Sequence, residues 1–108
     1  MKPIEDYRKH VGMREGKHHK TTLFRSDHLL LGLNCLEPGQ SQAVHRHAGQ
    51  DKFYLVMEGR GKFTVGRSLV EAGPGEIIWA AAEEDHGVEN RGAERLVLVV
   101  GIAPAPSP

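Results

Sequence analysis

HRHAGQDKFYLVMEGRG, residues 45–61, decides how this chain is read. Two histidines two residues apart precede an apolar run that ends on a glycine turn. In a strand, residues i and i+2 share a face, so His45 and His47 point the same way, about 7 Å apart along the strand. Two imidazoles so placed can share one metal ion if a third ligand arrives from elsewhere. His86, in EEDHGVEN, supplies that candidate from a different strand. A lysine, Lys52, stands at the start of the apolar run.

Working outward, residues 20–102 read as short strands broken by turns: Thr21–Phe24, His28–Leu36, Ser41–His47, Lys52–Glu58, Lys62–Val65, Ser68–Glu71, Glu76–Ala80, His86–Asn90 and Arg95–Ile102. EPG at 37–39, Gly59 and Gly61, AGPG at 72–75 and RGAE at 91–94 punctuate them. No segment shows a convincing period of 3.6. Many short strands with glycine-rich turns define an all-β sandwich or barrel. Residues 1–20 are polar, and Gly12 and Gly16 argue against a helix, so they read as a loose arm or an edge strand. Within them GKHHK, residues 16–20, reads as a solvated basic loop rather than a metal-binding pair. Pro104, Pro106 and Pro108 make residues 104–108 an extended tail. The chain thus divides into an arm (1–20), a barrel (21–103) and a tail.

At 108 residues the chain is about one domain. Fourteen basic and fourteen acidic residues balance, so nothing steers it to nucleic acid or an anionic membrane. No apolar run approaches the roughly 20 residues that span a bilayer. Residues 1–20 have no signal-peptide core, and one cysteine, Cys35, fits a reducing compartment, so a cytoplasmic protein is expected. The strands from Leu29 to Leu36 and from Arg95 to Ile102 are apolar at nearly every position, as if covered on both faces. A chain this short has no evident element to cover the second face, which predicts a homodimer.

Two blocks resemble the paired motifs of the cupins, small jelly-roll β-barrel proteins. The first runs Gly39, five residues, His45-Arg46-His47, four residues, Lys52, six residues, Gly59. The second runs Gly75, five residues, Ala81 in a proline slot, Glu83 in a glycine slot, His86 and Asn90. The short stretch from Arg60 to Pro74 between them resembles the minimal single-barrel members. The resemblance covers roughly residues 22–102. It implies a single cupin barrel in which His45, His47 and His86 are metal ligands and Lys52 occupies the family's glutamate ligand slot.

An ammonium cannot coordinate a cation. Four explanations stand side by side. The site is a three-histidine site with open positions, suited to Fe, Ni, Cu, Zn or, less well, Mn in the divalent state. Alternatively Gln50 supplies an oxygen as a fourth ligand. In the third, Asp51 turns in through a bulge. In the last, the metal has been lost and the barrel kept. Lys52 faces either the cavity, where it would hold an anion, or solvent. Tyr54 and Trp79 are pocket candidates, with core packing the blander role for each. Cys35 reads as a small buried hydrophobe, His28 as a surface residue and Asn90 as a structural residue.

The resemblance implies two functional classes. One is a metal-dependent enzyme, oxygenase-like, acting on a small polar organic molecule. The other is a non-catalytic ligand-binding or sensor domain, with or without metal. In both the partner is a small molecule.

Overall fold

A computed structural model describes residues 2–107. Nine strands follow one 3-10 turn at Tyr7–Lys9. They are β1 (His19–Arg25), β2 (Leu30–Leu36), β3 (Ser41–Arg46), β4 (Asp51–Glu58), β5 (Gly61–Val65), β6 (Ser68–Ala72), β7 (Ile77–Ala80), β8 (Asp85–Glu89) and β9 (Leu96–Ala103). Every strand expected from the sequence is present, with ends displaced by a residue or two. All pairings are antiparallel, and they form two sheets, β1-β2-β9-β4-β7 and β3-β8-β5-β6. This is a jelly-roll β-sandwich. Among the described residues no helix is long and apolar enough to cross a membrane.

Alternation along each strand sends one set of side chains into the space between the sheets. Tyr54 and Val56 from β4, Leu98 and Val100 from β9, Phe63 from β5 and Val88 from β8 form the main core. Tyr54 and Phe63 pack with ring centroids 5.2 Å apart. The turn after β4 needs a glycine: Gly59 has φ +79°, and a Cβ there would collide with the carbonyl of Arg95.

A second apolar layer lies on the outer face of the larger sheet. Leu33, Cys35 and Val97 are fully buried there, and Tyr7 and Val11 pack over them. Of the segment expected as a loose arm or an edge strand, residues 19–20 open edge strand β1, and the part before them packs on the sheet. Tyr7, in the 3-10 turn, and Val11 cap the outer face. Tyr7 anchors this part by donating from its hydroxyl to Glu58, 3.0 Å away. The chain thus covers part of the face for which a second copy was expected. Cys35 is buried as expected, and burial raises its thiol pKa.

His18 and His19 also depart from the solvated-loop reading. His18 is buried, with both ring nitrogens unpartnered among the described residues. Desolvation, with Lys20 and Lys17 nearby, lowers its pKa and favours the neutral ring. His19 opens β1 and bonds the Thr21 hydroxyl at 3.0 Å.

Asn90 locks the end of β8. It is buried, its amide donates to the carbonyls of Leu36 and Glu94 at 2.8 Å each, and its side-chain oxygen accepts from the Gly92 amide at 3.0 Å. Asn90→Ala leaves the buried Leu36 carbonyl without this donor. It should cost about 2–3 kcal/mol in urea unfolding. A loss below half a kilocalorie would contradict the role.

Candidate metal centre

The three histidines converge because of one irregularity in β3. Gln42 pairs with Val88 and His45 pairs with His86, so Ala43 and Val44 oppose the single residue Gly87. This bulge reverses the alternation, and Gln42 and His45 both line the interior despite their odd separation. Gly87 permits it: a Cβ there would come within 3.0 Å of Val44 and of the Gln42 carbonyl.

The result is a compact cluster. One ring nitrogen from each of His45, His47 and His86 lies within 4.8 Å of the others. The ring centroids are 4.6 Å apart for His45–His47, 4.4 Å for His45–His86 and 5.2 Å for His47–His86. Nδ1 of His45 is 2.8 Å from the Ala43 carbonyl, and Nδ1 of His86 is 3.2 Å from that of Glu84. A carbonyl only accepts, so in each ring Nδ1 is the donor and Nε2 is the nitrogen turned toward the cluster's ligand role. Such backbone contacts commonly orient metal-binding imidazoles. Nε2 of His86 is buried with no partner among the described residues. Desolvation, assisted by the charge of Lys52, holds His86 neutral by pushing its pKa down to about 4. Desolvation and the neighbouring His45 lower that of His47. Three converging imidazole nitrogens, one of them orphaned in the interior, fit a divalent transition metal.

The second block of sequence supports the first through Glu83. This residue sits in the slot where the resembling family has glycine, and it is the non-glycine with positive φ, +69°, among the described residues. Its amide donates to the His47 carbonyl at 3.2 Å, and its carboxylate accepts from the Gly49 amide at 2.9 Å. The left-handed conformation costs about 1 kcal/mol or more, and these two bonds offset it while fixing the backbone at His47.

The other candidates divide. Lys52 points into the cavity: it is 3% exposed and its Nζ lies 4.9 Å from the centre of the Tyr54 ring. Tyr54 is wholly buried in the core, and its hydroxyl has no partner among the described residues. Gln50 is turned away, donating from its amide to the Pro104 carbonyl at 3.1 Å. Asp51 is exposed and accepts from the Ala82 amide at 2.9 Å. No bulge brings it inward, because β4 pairs regularly with β7 from Lys52 to Leu55. Trp79 is neither pocket nor core. Ile78 and Ala80 take the inward positions of β7, which leaves Ile77 and Trp79 exposed on the outer face.

A cavity of about 410 Å³ opens beside the histidines. Lys20, Asn34, Gln42, His45, His47 and Lys52 give it polar groups, and Leu30, Val100, Ile102 and Pro106 give it apolar wall. Pro106 shows that the tail folds back over this end of the barrel; the Arg25 guanidinium donates to its carbonyl. Gln42 was not singled out in the sequence, because the bulge that turns it inward has no local signature beyond Gly87.

A family model for the cupin domain matches residues 32–102. The chain belongs to the cupin family. Among curated proteins it is 29% identical over 83 residues to an oxalate-binding protein of Thermotoga maritima, a match spanning 77% of this chain and 63% of that protein. It is 30% identical over 76 residues to an uncharacterised Streptomyces coelicolor protein, covering 70% and 71%. Among solved structures, a Thermus thermophilus protein is 37% identical with a TM-score of 0.92, over 95% of this chain and 98% of that one. A predicted oxalate decarboxylase from T. maritima is 28% identical with a TM-score of 0.67, over 68% and 64%.

Lys52 gives the site its electrostatic signature. Desolvation, then the nearby charge of Lys20, pulls its pKa from 10.5 down to about 8. Between those two values the unfolded chain holds a proton that the folded chain has released, so stability rises as pH climbs through that window. Below pH 8 the full penalty is present, about 3 kcal/mol. In chelator-treated protein, Lys52→Met should therefore be more stable than wild type at pH 7 by roughly that amount. The advantage should shrink as pH rises from 8 to 10.5. Denaturant melts across that range test it, and a less stable variant at pH 7 would refute it.

Proposed function

We propose that His45, His47 and His86 hold one divalent transition-metal ion, of the Fe, Ni, Zn, Cu or Mn group, and that a small polar organic molecule binds to it in the adjoining cavity. The observation that carries this reading is the convergence of three ring nitrogens within 4.8 Å, one of them a buried, unpartnered Nε2. Three ligands leave positions open on the ion, and a bound metal would supply Lewis-acid or redox chemistry to a molecule seated there. Among the residues lining the cavity there is no carboxylate to act as a general base. Oxygenase-type chemistry asks least of such a wall, because the protein's part is to bind, orient and exclude water. The second reading is a ligand-binding domain without turnover. The similarity to a protein named for binding oxalate favours it.

Lys52 takes no part in coordination. Elemental analysis should find about one metal per chain in wild type and its loss in His47→Ala. Lys52→Ala should keep the metal, and Lys52→Glu should hold it at least as tightly, because it returns a carboxylate beside the three imidazoles. Full occupancy after all three histidines are replaced would refute the ligand set. Loss of metal from folded Lys52→Ala would refute a site built on histidines alone. Consumption of O2 with bound small acids separates the enzyme from the binding domain.

The homodimer belongs on the outer face of the larger sheet beyond the N-terminal cap. Ile77 and Trp79, 68% and 58% exposed, stand on edge strand β7 next to Leu55 and Phe53 in register. An apolar patch at an open sheet edge is stabilised by a second copy. Light scattering should report a dimer for wild type and a monomer for Trp79→Glu; a wild-type monomer at micromolar concentration would overturn this.

A further inference from the structure

Lys52 is a buried lysine whose ammonium lines the cavity without a counter-ion. No hydrogen bond or ion pair reaches it among the described residues, its contact is the face of Tyr54, and the charge nearest in effect is another lysine, Lys20. Both lysines line the cavity, and no aspartate or glutamate does. A buried charge is retained at a cost only where something pairs with it. Here the protein provides nothing of opposite sign, so the pairing group comes from outside.

The wall says which kind of anion. Leu30, Val100, Ile102 and Pro106 make part of it apolar, which an inorganic ion does not use. At about 410 Å³ the cavity lies toward the small end of ligand sites.

We propose that the cavity is a receptor for small organic carboxylates, whose anionic group pairs with Lys52 and Lys20 beside the histidine cluster while a short apolar body packs against Leu30, Val100 and Ile102. This deepens the reading of the cavity as the ligand site of a metal centre. It assigns Lys52, which replaces a metal-ligating carboxylate of the family pattern, to the ligand instead of the ion. A metal held by the three histidines would then meet the same molecule that Lys52 pairs with.

The test is calorimetric titration of full-length protein, chelator-treated and metal-loaded, with isovalerate, its uncharged isostere isovaleramide, and inorganic phosphate. Isovalerate should bind both forms, and isovaleramide and phosphate should bind about tenfold more weakly or not at all. Lys52→Met should weaken isovalerate by about tenfold or more, Lys52→Arg should largely retain it, and the surface change Lys9→Met should leave it unchanged. The comparison of acid with amide on wild-type protein needs no variant to fold. Equal binding of acid and amide, equal binding to Lys52→Met, or no binding of isovalerate to either form overturns the proposal. Tighter binding of phosphate than of isovalerate overturns its organic part. Carboxylate binding to a protein that takes up no metal supports the lysine site while refuting the metal centre, so the two failures are distinct.

Discussion

The bulge in β3 opposite Gly87 is the constraint on which the site depends. Regular alternation from Gln42 would send His45 to the outer face and leave His86 without its partner across the β3–β8 ladder. One extra residue restores the parity, and it fits because Gly87 has no side chain to meet Val44. The ladder then sets His45 directly opposite His86, and the next inward position brings His47 beside both. Glu83 ties the backbone at His47 to the segment preceding His86. The two blocks of sequence that carry the histidines are thus held together by backbone geometry before any ion is considered.

This interior is polar at one end and apolar at the other. Tyr54, Phe63 and the leucines and valines fill the closed end. The open end holds the histidines, Lys52 and the cavity. The polar end is where the fold gives up stability, since burying an unpaired ammonium and orphaned polar atoms disfavours the folded state. Such features persist where a ligand or ion completes them.

Much of this was legible in the sequence. Glycine-bounded apolar runs located the nine strands, and the spacing of His45, His47 and His86 marked the cluster. What was not legible arose from choices between equivalent alternations. Ile77, Ile78 and Trp79 are all apolar, so nothing local indicated that Trp79 would face outward. The tertiary packing of Ile78 and Ala80 settled it. Gln50 follows the turn at 48–49 and Asp51 opens β4, where parity from His47 is lost, and backbone partners at Pro104 and Ala82 claimed their side chains. Lys52 shares a face with Tyr54 and Val56, which pointed inward, but charge argued the other way; the strand parity prevailed. The N-terminal cap was missed because Gly12 and Gly16 argued against a helix, while Tyr7 and Val11 pack on the sheet through a single 3-10 turn.

The outward position of Trp79 has an optical consequence. It is the chain's one tryptophan, 58% exposed, on the side of the sheet away from the cavity. Intrinsic fluorescence excited at the indole therefore reports on the outer surface. In a single chain its emission should be that of a water-exposed ring, in the proposed dimer it should lie at shorter wavelength, and filling the cavity should leave the wavelength of its maximum nearly unchanged in either state.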